Sequence, residues 1–148
     1  REKVRNTPQE ALALWETLRP GGTLTIAVLG RDPFAPAHQL LMDALHREGI
    51  APDPAWPWDR LADAASLRRA FASAGLPDPQ VQVEVGTHPI PTPEAWWMLV
   101  LGSDYRGVID RLDAAAQERV RRDMFSQLSA RAIRSVRSDV LYATARVR

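Results

Sequence analysis

Residues 11–29 read ALALWETLRPGGTLTIAVL, and the fold turns on this stretch. Ala11, Leu12, Trp15 and Leu18 recur at helical spacing and form one apolar face, with Trp15 expected in the core. Just upstream, Thr7-Pro8-Gln9-Glu10 has the marks of a helix start. Thr7 can cap, Pro8 suits the first helical position and Glu10 completes a capping box. The helix must stop at Arg19-Pro20-Gly21-Gly22, because proline blocks continuation and glycine permits the reversal. Thr23–Leu29 is then a short, β-branched strand of the kind buried on both faces of a sheet.

Further along, Gly30 to Pro36 reads as a loop into a helix whose apolar stripe is Ala37, Leu40, Leu41, Ala44 and Leu45, ending at Gly49. Pro52, Pro54 and Pro57 keep residues 50–60 from regular structure, and Trp56 and Trp58 are expected to pack over the sheet. Asp63 can cap a helix carrying Leu67, Ala70, Phe71 and Ala74, closed by Gly75. Val81, Val83 and Val85 alternate with polar residues or glycine, the pattern of a strand with one wet face. Helical segments follow from Pro93 to about Ala132, with breaks near Gly102-Ser103 and Asp113. Residues 139–147, DVLYATARV, form a last strand. Helices alternating with strands predict an α/β fold with a sheet covered on both faces. The last strand is more apolar than Val81–Val85, so it belongs inside the sheet and the earlier one at an edge.

Composition removes several classes of function. The 148 residues are 45% apolar and 25% charged with a net charge of +1, which gives no electrostatic reason to expect nucleic acid or an anionic membrane. There is no cysteine, hence no disulfide, thiolate nucleophile or Cys-ligated zinc. The longest apolar runs fall far short of the ~20 residues needed to span a bilayer. A cytoplasmic protein is expected. Lys3 is the only lysine, so neither a phosphate-binding loop lysine nor a Schiff base is available downstream. The eight glycines include no G-x-G spacing, and no G-x-S-x-G elbow is present. His38, His46 and His88 have no metal-ligand pattern, so no metal is expected. The arginines of residues 117–134 read as a solvated face paired with nearby acids.

A resemblance joins these pieces. Glu16, Leu18, Arg19, Pro20, Gly21 and Gly22, leading into Thr23-Leu24-Thr25-Ile26, resemble the helix-to-strand leader before the fifth strand of class I S-adenosylmethionine-dependent methyltransferases. Ser66 to Leu76 resembles the family's later helix end L-x-x-x-L-x-x-A-G-F, with Leu76 for phenylalanine. Thr92-Pro-Glu-Ala-Trp-Trp looks like the start of the insertion before the final strand, and Leu141-Tyr-Ala-Thr-Ala-Arg like that strand. The branch most resembled is that of quinone-biosynthesis and small-molecule methyltransferases.

The resemblance implies the C-terminal half of a Rossmann-like seven-stranded sheet ordered 3-2-1-4-5-7-6. Strands five, six and seven are here, the seventh antiparallel. Residues 1–148 would be one partial domain, with a helical insertion over 92–136. The family's glycine-rich loop and acidic ribose contact lie in its N-terminal half, so S-adenosylmethionine would bind the intact enzyme and this chain alone would be inactive. Acceptor contacts are implied at Arg31, Asp32, Phe34 and His38 after the fifth strand, and at Trp96, Trp97, Tyr105 and Arg106 in the insertion. No catalytic base is identified. The edge of Thr23–Leu29 would pair with the missing half or with a symmetry mate, making a homo-oligomer. The alternative reading is a non-catalytic dimerisation or partner-binding module.

Overall fold

The computed structural model describes residues 8–51 and 56–148; the cap expected at Thr7 lies outside them. In chain order the elements are α1 (Pro8–Glu16), β1 (Thr23–Leu29), α2 (Ala37–Arg47), a 3-10 turn (Pro57–Leu61), α3 (Ala64–Ser73), β2 (Gln80–Glu84), β3 (Thr87–Pro89), α4 (Pro93–Gly102), α5 (Arg106–Ile109), α6 (Ala114–Ala130), β4 (Ser135–Arg137) and β5 (Val140–Arg146). The fold is mixed α/β with antiparallel sheets. No described helix is long and apolar enough to cross a membrane.

The chain forms two compact units. The first takes the described residues of Arg1–Arg31, Trp58–Val85 and Asp139–Arg148. Its sheet has the order β1-β5-β2, and β5 runs antiparallel to both neighbours. The apolar last strand is therefore central and the alternating valine strand is at an edge, as their patterns require.

In register, Leu24, Ile26 and Val28 lie opposite Ala145, Ala143 and Leu141, and Val81 also faces Ala143. These residues share a face that packs on Leu67 and Phe71 of α3, on Ala74 at its C-cap, and on Ala11, Leu12 and Trp15 of α1. Trp15 is half-buried at the margin of this core. Asp63 caps α3 by accepting the Ser66 N–H at 2.7 Å, and Gly75 ends it at φ +74.

The structure corrects the expectation that Thr23–Leu29 is buried on both faces. Its exposure alternates, with Thr23, Thr25 and Ala27 open. On that second face Thr25 Oγ1 lies 3.0 Å from Thr144 Oγ1, directly across the ladder. Small and hydroxylated side chains at odd positions make this a wettable face, which a count of β-branched residues does not register. The edge strand β2 is more open than its alternation suggests. Val83 is 58% exposed, and of the strand's five residues only Val81 is partly buried.

The second unit takes the described residues of Asp32–Pro57 and Gly86–Ser138. Its core is built from Leu41 and Leu45 of α2, Val100 of α4, Ile109 of α5, and Val120, Met124 and Leu128 of α6, all nearly inaccessible. The helical breaks at Gly102-Ser103 and Asp113 are present, and Asp113 caps α6 by accepting the Ala116 N–H. The small sheet β3-β4 comes from sequence that gives no strand signal. Pro89 sits in β3 at its end, opposite Ser135, and Val136 is its buried anchor. Among the described residues of this proline-rich stretch lies the short 3-10 turn Pro57–Leu61, which proline at its first position tolerates.

Candidate functional site

Phe34, His38, Trp56, Trp96 and Tyr105 converge in the second unit. Phe34 comes from the loop after β1. Its N–H donates to the Arg137 carbonyl at 2.8 Å, and the Arg137 N–H donates back to Ala35 at 2.8 Å, so β4 holds the loop at two points. At and just before these anchors, Phe34 and Asp32 take left-handed backbone, φ +68 and +48. Aspartate tolerates that region through its short polar side chain, whereas a bulky ring there costs about 1–3 kcal/mol.

His38 follows in the first turn of α2, its N–H donating to Phe34 C=O at 3.0 Å. Trp96 sits on α4, whose start is fixed by Thr92 Oγ1 accepting the Ala95 N–H at 3.2 Å. Tyr105 occupies the α4–α5 joint, and its N–H donates to Ser103 Oγ at 3.4 Å.

Tyr105 is the hub. Its ring centroid lies 4.9 Å from Trp56, 5.7 Å from Phe34, 5.8 Å from His38 and 6.0 Å from Trp96. The Trp56 and Trp96 contacts are edge-to-face, the arrangement that aligns ring edges with electron-rich faces. Phe34 also touches Trp96, with centroids 6.2 Å apart. The Tyr105 hydroxyl and His38 Nδ1 are hydrogen-bonded at 2.6 Å. One polar atom in the cluster is unpaired. Trp96 is fully buried, and its Nε1 has no hydrogen-bond partner among the described residues. Such a stranded donor costs about 1–3 kcal/mol.

Of the expected acceptor contacts, Phe34, His38, Trp96 and Tyr105 are thus brought together. The others are placed differently. Arg31 belongs to the first unit and is ion-paired with Asp63 at 3.3 Å. Its loop neighbour Asp32 lies 3.7 Å from Arg137. Arg106 is exposed and pairs with Asp110 at 3.0 Å, while Trp97 is half-buried on an adjoining flank of α4. Trp56 was expected to pack over the sheet. Instead it is buried against Tyr105 and His38. A tryptophan in a proline-rich loop does signal that the loop docks, but not on what.

Elsewhere in this unit a cleft of about 180 Å³ is lined by Ala44, Arg47, Glu48, Arg119, Val120 and Asp123. Its charges satisfy one another. Arg119 grips Glu48 with two bonds of 2.8 Å, and Arg47 pairs with Asp123. Hydrogen bonding to Arg119 holds the Glu48 carboxyl below its usual value. The cleft is a helix clamp rather than a site. No group of three potential ligand side chains is placed to hold a metal among the described residues. Of the left-handed glycines, Gly49 and Gly75 follow helix ends and Gly21 lies in the turn leading into β1, so none forms a strand-to-helix cradle for a nucleotide-like cofactor.

No protein-family model and no curated protein sequence matches this chain.

Proposed function

We propose that this chain is the acceptor-binding, C-terminal part of an S-adenosylmethionine-dependent methyltransferase acting on a small, partly apolar molecule. The observation carrying this reading is the strand order β1-β5-β2 with an antiparallel centre. It is the order 5-7-6 implied for the last three strands by the sequence resemblance. A second support is chemical. The loop after β1 and the segment before β5, which the resemblance names as acceptor-binding, meet in one aromatic cluster.

The residues of this chain do not fit the cofactor itself, since the sequence has no G-x-G loop and the described residues form no glycine cradle. Its binding groups, and catalysis with them, belong to sequence outside this chain. What this chain contributes is positioning. His38, Trp56, Trp96 and Tyr105 surround an apolar acceptor and fix its orientation, with Phe34 at its edge, which is worth rate because a methyl transfer needs in-line alignment. On this reading the chain works in the cytoplasm, and the outer edge of β1 takes a strand from the rest of the domain or from a second copy.

Calorimetry with S-adenosylmethionine tests the division. The chain alone gives no binding, and the polypeptide extended by its upstream coding sequence binds. Tight binding to the chain alone, or an upstream sequence with no glycine-rich strand-loop-helix, overturns it. The second result would favour the non-catalytic partner-binding module.

A further inference from the structure

We propose that Trp96 and Phe34 form a gated site for a flat aromatic molecule carrying a hydrogen-bond-accepting oxygen beside its ring, such as an aryl ketone. The proposal rests on the reading above and narrows its acceptor class.

Two unfavourable features coincide here. The Trp96 indole is fully buried with Nε1–H unpaired among the described residues. Its aromatic neighbours are Phe34 and Tyr105. A ring face is only a second-order acceptor, and a trapped water needs two to four polar partners. Phe34, the ring packed on it at 6.2 Å, is held in left-handed backbone at φ +68 and stays half-buried. Relaxing Phe34 to ordinary backbone gives up its N–H bond to the Arg137 carbonyl, swings its ring off Trp96 and opens a ring-sized gap against the indole. A ligand ring then replaces the lost aromatic contact, and its oxygen accepts the indole proton. One event removes both penalties in exchange for one backbone hydrogen bond to β4. A ligand without an oxygen leaves the donor unpaired, and one without a ring leaves the gap unfilled.

The test uses the 15N-labelled chain, with the Trp96 indole signal identified by Trp96→Phe. Acetophenone is the probe, and ethylbenzene is its oxygen-free counterpart. Acetophenone should move the Trp96 indole signal to saturation and bind roughly fivefold tighter than ethylbenzene, the effect of one hydrogen bond. Phe34→Ala should bind acetophenone more tightly than the parent, because the gate is gone. The proposal is overturned by an unmoved Trp96 signal, by equal affinity for the two probes, or by weaker binding to Phe34→Ala. Should Trp96→Phe fail to fold, the two probes and Phe34→Ala still decide. None of these measurements uses S-adenosylmethionine. A negative result here with a positive cofactor result therefore removes the acceptor class and leaves the methyltransferase reading standing.

Discussion

The Tyr105 hydroxyl lies 2.6 Å from Nδ1 of His38, and both rings belong to the aromatic cluster. The hydrogen bond ties the α4–α5 joint to the first turn of α2, elements 67 positions apart in sequence. Tyr105 is fully buried, so its hydroxyl has exchanged water for this contact.

Tyr105→Phe separates the hydroxyl from the ring. The ring contacts remain, and the loss should be about 1–2 kcal/mol in urea unfolding, the value of one buried hydrogen bond plus an unpaired imidazole nitrogen. Tyr105→Ala also removes the hub and should cost about 3–5 kcal/mol. Equal stability of Tyr105→Phe and the parent would mean that the bond contributes nothing.

Gly30 ends β1 where the chain leaves for the Phe34 loop. A Cβ there would lie 2.8 Å from the Asp139 Cβ and 3.2 Å from Leu141 Cδ1. Asp139 is itself buried, and its carbonyl accepts the Gly30 N–H at 2.7 Å, so neither strand can move aside freely. Gly30→Ala should therefore destabilise by about 1–3 kcal/mol. Gly49→Ala adds no contact within 4 Å but keeps the strain of φ +77, and should cost less. Thermal melts of the two variants check this order.

Local chemistry made most elements legible. Asp63 and Asp113 announce their caps, Gly49 and Gly75 their stops, and the apolar bias of residues 140–146 its central place in the sheet. The cluster was legible only in part. Phe34, His38, Trp96 and Tyr105 followed from the resemblance, whereas no periodicity links them, since each arrives from a loop or a first turn. Trp56 docks through contacts far away in sequence, which a local pattern does not encode. The strands β3 and β4 were missed because three-residue pairs around Pro89 are set by their partner rather than by propensity.

The ladder between β1 and β5 makes proline scanning informative. Gly30 donates to Asp139 and Gly22 accepts from Val147, so even positions of β1 bond to β5. Odd positions point to the outer edge. Thr25→Pro should fold with a modest loss, since the edge tolerates a missing N–H. Ile26→Pro breaks the ladder and should cost about 3 kcal/mol or more. If the edge of β1 takes a strand from a second copy, sedimentation should also show association in the parent and its loss in Thr25→Pro. A parent that stays monomeric at all concentrations removes self-pairing at this edge.

Glu48 and Arg119 give the pH dependence its sign. The hydrogen bonds from Arg119 depress the carboxyl in the folded state below its ordinary value of 4.5. A depressed acid stabilises fully above its unfolded value, and the contribution is lost as pH falls through the folded one. Glu48→Gln should therefore be less stable than the parent at neutral pH. The gap should close on acidification below the ordinary glutamate range. Both partners reach solvent, so salt should narrow it at neutral pH as well. Denaturant midpoints of the two proteins, measured across pH at low and high salt, decide this. A gap that stays constant into acid would mean that the ionised pair does not tie α2 to α6.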